Sequence, residues 1–258
     1  MTNSSIEASI LKKDRIFVLT AIVGVVAIAW IYLAMLAADM QAMPAGAMME
    51  MQRWTSIDFV LMFVMWSIMM VGMMLPSATP AILNFAALSR ERHARGEAYV
   101  PTVIFVLGYV AVWTAFSLVA TLLQWALNAL ALLSPMLVLT SPVLGGVLLV
   151  AAGIYQWSPI HEFFLSKCRN PLAILNRRFG EGMATFNMGL ENGANCLGCC
   201  AVLMLLLFVG GVMNLLWVAL IALFVLVQKA LPYGEVFARW SAVPLGLAGL
   251  ATIAFQLT

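Results

Sequence analysis

Seven apolar runs, each near the length a helix needs to cross a bilayer, leave this chain little else to fold with. They cover residues 16–36, 57–75, 100–123, 136–155, 196–212, 215–227 and 242–257. A helix crosses the hydrocarbon core with about 20 apolar residues, and lipid offers no hydrogen-bond partner to an unpaired backbone. The runs therefore predict an all-α fold: a polytopic transmembrane helical bundle of about seven spans, one integral membrane domain over residues 1–258. Only 9% of the residues are charged, against about 25% in a soluble domain. No polar segment is long enough to build a soluble domain on either side. The runs 196–212 and 215–227 meet at Gly210-Gly211-Val212-Met213-Asn214, which reads as a tight hairpin turn.

The basic residues orient the bundle. Of the 13 Lys and Arg, only Arg53 falls in a loop of the other parity. Lys12, Lys13, Arg15, Arg90, Arg92, Arg95, Lys167, Arg169, Arg177, Arg178, Lys229 and Arg239 share one side. The positive-inside rule makes that side cytoplasmic. The N-terminus is then inside, and the loop 39–56 faces out. A cleaved signal peptide is the competing account of Lys12, Lys13 and Arg15, but the apolar run behind them is longer than the usual h-region. Net charge is +2, so the chain offers no basic surface for nucleic acid. Stretch 80–89, continuing from the second run past Pro76, and stretch 170–178 read as amphipathic segments at the inner interface, their Arg side chains among lipid headgroups.

Sulfur is distributed unevenly along this frame. Eleven of the 18 methionines fall between Met40 and Met74. Met40, Met43, Met48, Met49 and Met51 sit in or beside the outer loop. Met62, Met65, Met69 and Met73 recur at helical spacing along the second run and form one stripe, with Met70 and Met74 beside it. Thioethers are soft, uncharged ligands that favour Cu(I), and such a stripe can form a ladder of weak sites. It can equally be a packing face, because Met fills irregular gaps between apolar surfaces.

A second sulfur group opens the fifth run. Cys196 and Cys200 share a helical face with Gly189 and Gly193, and glycines let helices approach closely. Cys199 lies one turn beyond Cys196, and Met204 one turn beyond Cys200. These four side chains can present sulfur in one patch near the cytoplasmic end of the span. A helix beginning near Asn192 would also favour thiolate there. The patch is either a Cu(I) site, a set of buried inert cysteines, or a redox C-x-x-C pair. Four cysteines in a membrane chain do not make a disulfide framework. Glu191 reads as interfacial and hydrated, Lys229 as a snorkelling residue without function, His93 as solvated, and His161 as a weak ligand candidate near Cys168.

Several motifs give the chain a resemblance to an uncharacterised family of bacterial and archaeal inner-membrane proteins with predicted metal binding, some described by inference as copper chaperones. The motifs are Trp66-Ser67-Ile68-Met69-Met70-Val71-Gly72-Met73-Met74-Leu75-Pro76; Ser158-Pro159-Ile160 with Cys168-Arg169-Asn170-Pro171; Gly189 through Cys196-Leu197-Gly198-Cys199-Cys200 to Met204; and Phe208-Val209-Gly210-Gly211-Val212-Met213-Asn214-Leu215. The resemblance covers about residues 54–231 and implies a multi-pass protein of the bacterial inner membrane. The chain departs from the family pattern at His161, where Lys is usual, and at Phe164, often Cys. Asn192 stands where His is common, Ala201 where Trp is common, and Gln228-Lys229 where the family carries Glu-Lys.

Two functions follow. One is a Cu(I)-handling membrane protein, not an enzyme, that delivers metal to or assembles a membrane or periplasmic copper protein. Its metal residues would be Cys196, Cys199, Cys200, Met69, Met70, Met73 and Met204. The other is a diverged, non-catalytic structural or assembly subunit of a membrane complex with no metal. No hydrolase, kinase or dinucleotide motif is present. Lipid and other membrane proteins are the expected partners.

Overall fold

The computed structural model describes residues 3–42, 54–96, 99–170, 182–231 and 233–257, with side chains described from Arg15 onward. Met43, Met48, Met49, Met51, Glu50 and Arg53 of the outer loop lie outside the described residues, as do Arg177 and Arg178. The described helices are α1 (Asn3–Ala42), α2 (Ser56–Ala94), α3 (Thr102–Ala129), α4 (Pro142–Gln156), α5 (Pro159–Arg169), α6 (Met183–Leu205), the short α7 (Leu207–Gly210), α8 (Leu215–Ala230) and α9 (Gly234–Leu257). Among the described residues no strand is present. Five segments are long and apolar enough to cross a membrane, in α1, α2, α3, α6 with α7, and α9. A sixth is reached if α4 and α5, bent by 66°, are taken as one span. The helix α8 has only 16 residues.

Each helix begins where local chemistry permits. Thr55 and Asp58 form a capping box at the start of α2, with the Thr55 N–H donating to Asp58 Oδ2 at 2.8 Å. Ser141, Ser158 and Asn214 cap α4, α5 and α8 by accepting from the N–H of Leu144, His161 and Trp217. Pro142 and Pro159 occupy the first helical positions, where a missing N–H costs nothing. The hairpin expected at 210–214 is present: Gly211 takes φ +93°, a conformation glycine adopts without strain, and Asn214 starts α8.

The segment 80–89 runs on from the second span past Pro76 as expected, and two other boundaries differ. The segment continues α2 through Pro76 and Pro80, with Ala81, Ile82, Phe85 and Ser89 buried. Prolines are tolerated inside a membrane helix when neighbours hold the backbone. Here the hydroxyls of Ser77 and Thr79 bond the carbonyls of Met74 and Leu75 in the same turns, and packing holds the rest. The fourth helix starts at Pro142 rather than 136. Its preceding loop is pinned by Leu139 N–H donating to the Phe208 carbonyl at 2.9 Å. The cysteine helix starts at Met183 rather than Cys196, so the cysteines lie more than three turns inside it, not at a helix N-terminus.

The reason for the early start is packing against α3. A Cβ on Gly189 would overlap the Phe105 carbonyl oxygen and stand 3.0 Å from the Gly108 Cα, and one on Gly108 would overlap the Phe186 carbonyl. The two helices meet backbone to backbone. Phe105 lies opposite Gly189 and Tyr109 opposite Gly193, so α3 and α6 run parallel. The same device joins α4 to α9 antiparallel, with Gly146 against Gly249 and Gly153 against Ala242. One core of buried Met, Cys, Phe, Trp and Leu side chains runs through the bundle, and α2 and α6 contribute much of it.

Candidate metal centre

The backbone contact between α3 and α6 places Tyr109 over the cysteines. Its hydroxyl lies 3.0 Å from Cys196 Sγ and donates to the Met74 carbonyl of α2 at 3.2 Å. On the other side, Lys229 near the end of α8 points inward. Its Nζ donates to Cys196 Sγ at 2.8 Å and to Ser77 Oγ at 3.2 Å. This corrects the expectation that Lys229 snorkels to the interface. The ammonium instead takes partners from α2 and α6 within the bundle, as a charge away from water must.

The remaining thiols form a chain. Cys199 Sγ lies 3.3 Å from Cys200 Sγ and 3.6 Å from Cys168 Sγ, and donates to the Cys196 carbonyl at 3.1 Å. Cys196, Cys199 and Cys200 are buried and all four cysteines are free thiols. Cys168 comes from α5, which folds back after the bend at Trp157-Ser158. Sequence spacing on α6 had no means of including it. Two aromatic side chains pack this side of α6, Phe164 from α5 and Tyr155 from the end of α4. The Phe164 ring covers Gly198, where an added Cβ would lie 2.5 Å from a ring carbon, and the Tyr155 hydroxyl donates to the Gly198 carbonyl. Ion pairs join α5 to α9, an exposed one from Arg239 to Glu162 at 2.5 Å and a half-buried one from Arg169 to Glu235 at 3.7 Å.

The other candidates are placed as follows. Met69, Met70, Met73 and Met204 are all buried in the same core as the cysteines. The contacts that tie α2 to the thiols run through Tyr109 and Lys229. Met65 and Met74 are buried as well, so this part of the stripe faces protein rather than lipid. His161 is buried on α5 against the Tyr155 ring, with centroids 5.6 Å apart. Gln228 donates to Gln156 Oε1 at 2.5 Å in a buried amide pair beside Lys229. Glu191 is half-buried on α6, and His93 is exposed beside the Tyr99 ring.

Chemically, the centre is a soft donor set with one built-in cation. A thiolate at Cys196 would find its counter-ion 2.8 Å away. Thiolate ligands select soft metals, Cu(I) among them, and each ligand must give up its proton to bind. Among the described residues no group of three or more His, Cys, Asp or Glu side chains is arranged ready to hold a metal ion. Cys199 touches Cys168 and Cys200, and Cys196 also interacts with Cys168 and Cys200, so the four sulfurs close a loop. Metal binding would replace these thiol contacts by metal–sulfur bonds and turn the side chains toward one point.

A family model described as PpoB2, copper chaperone, matches residues 63–252. No curated protein and no solved structure matches the chain.

Proposed function

The chain belongs to the PpoB2 copper chaperone family, and from that premise we propose that it carries Cu(I) within the membrane for a membrane or periplasmic copper protein. The protein is a carrier, not an enzyme. Its binding thiols are Cys196, Cys199 and Cys200, joined by Cys168, with Met69, Met70, Met73 and Met204 as weaker donors nearby. The observation that carries this reading is the convergence of four thiols and an inward lysine from three helices: α5, α6 and α8. Inert cysteines need no ammonium beside them. In this proposal the bundle crosses seven times with the N-terminus inside, the bent α4–α5 pair and the short α8 supplying two crossings, in the inner membrane of a bacterial cell. The parallel pairing of α3 with α6 and the antiparallel pairing of α4 with α9 fit that count.

Elemental analysis of the full-length protein, purified under reducing conditions without added metal, tests the reading. Copper is expected to co-purify and to be absent from the Cys196→Ser/Cys199→Ser double variant. A copper-free parent that also takes up no Cu(I) on titration would overturn it. That outcome favours the second reading, a structural or assembly subunit without metal, for which the buried methionines and the glycine contacts are packing surfaces.

A further inference from the structure

The first and second helices hold a second site that the sulfur chemistry does not use. A cavity of about 560 Å³ opens between α1 at Arg15 and the C-terminal half of α2. It is lined by Arg15, Thr79, Asn84 and Arg90, with Pro80 and Leu83 among its apolar walls. Its lining contains two guanidinium-bearing side chains, one from each helix. Because α1 and α2 are antiparallel neighbours, both arginines lie at one face of the bundle.

We propose that this cavity binds the headgroup of an anionic phospholipid, its phosphate between Arg15 and Arg90. Basic pockets between membrane helices, at the level where the backbone leaves the hydrocarbon, recognise such headgroups. Arg presents a planar fork of donors that matches phosphate oxygens. The apolar wall decides between a lipid and a free anion. Pro76, Pro80, Leu83, Ala86 and Ala87 extend from the arginines along α2, which a glycerol backbone and acyl chain can cover and inorganic phosphate cannot. The two prolines also lack N–H groups, so this face of α2 presents apolar ring to the cavity.

The test uses the full-length protein exchanged into nanodiscs of phosphatidylcholine doped with phosphatidylglycerol. Native mass spectrometry then counts retained phosphatidylglycerol. The parent is expected to retain it in preference to phosphatidylcholine. Arg15→Gln/Arg90→Gln lowers the affinity roughly 30-fold if each charge contributes its usual share. Arg15→Lys/Arg90→Lys keeps most of the binding, which separates loss of charge from loss of fold. Arg92→Gln/Arg95→Gln, on the same helix end but outside the cavity lining, leaves it unchanged. Equal retention by the parent and the double Gln variant overturns the proposal. So does displacement of the lipid by millimolar inorganic phosphate, which would make the cavity a free-anion site. The copper content of each variant is read alongside and is expected to equal the parent's, so failure here and failure of the metal reading are distinguishable.

Discussion

Replacing Lys229 by Leu keeps an apolar stem and removes the charge without adding a metal ligand. At the 2.8 Å between Nζ and Cys196 Sγ, Coulomb's law with an effective dielectric of 20 gives about 6 kcal/mol between an ammonium and a thiolate. Much of that is returned, because the variant no longer holds an ammonium away from water. A net loss of about 2–4 kcal/mol in the stability of a thiolate-bound metal remains, or about 30- to 700-fold in Kd. The assay is competition for Cu(I) against a chromophoric chelator, under reducing conditions, in detergent. The same variant is expected to melt at or above the parent temperature when metal-free, since a buried charge has gone. Lys229→Arg, which keeps the charge on a bulkier head, is expected to fall between the two. Weak binding with unchanged melting is the signature of a lost counter-ion. If Lys229→Leu binds Cu(I) as tightly as the parent, the lysine is not the partner of a metal-bearing thiolate and the argument fails.

Gly189→Val puts side-chain atoms where the Phe105 carbonyl stands, and neither backbone can yield locally. A loss of about 1–3 kcal/mol is expected in a denaturation series, together with loss of copper, because Tyr109 and Cys196 separate; full copper content would show that α3 and α6 do not position the centre. Gln124→Leu removes the acceptor of the Trp66 indole N–H, a 2.6 Å bond, but also removes the Gln124 Nε2, which is buried with no partner among the described residues. The two effects oppose, so a cost of about 1 kcal/mol or less is expected, and a measured loss above 3 kcal/mol would refute that accounting. Cysteines introduced at Met48 and Arg92 are expected to label from opposite sides of the membrane; labelling from the same side would refute the seven-span topology.

The helical bundle was legible because lipid permits so few alternatives. Apolar length alone located α1, α2 and α3, and the Gly-Gly and Asn of 210–214 located the hairpin. The start of α6 was not legible, since 183–195 is rich in Gly and Asn and reads as polar. It is helical because those glycines bring its backbone against α3, a fact of tertiary packing. The small residues at 189 and 193 did announce a close approach, without saying to which helix. At the centre, Cys196, Cys199 and Cys200 were visible by spacing on one helix. Cys168 was not, because it reaches them only through the bend between α4 and α5. Lys229 was misjudged for the same reason. A lysine at the end of an apolar run has water as its default partner, and only the folded chain shows Ser77 and Cys196 around it.

The unequal walls of the centre have a kinetic consequence. On one side α3 and α6 touch through their backbones, so that seam has no slack to part. On the other, Cys168 rides on the short helix α5, which packs through Phe164 against Gly198 and through buried His161 and Leu165, with two ion pairs to α9, such pairs being worth about 0–1 kcal/mol at a surface. On the proposed reading, a metal exchanged with these thiols is expected to pass on the α5 side, and added salt, which screens the ion pairs, is expected to speed its release without changing the ligands.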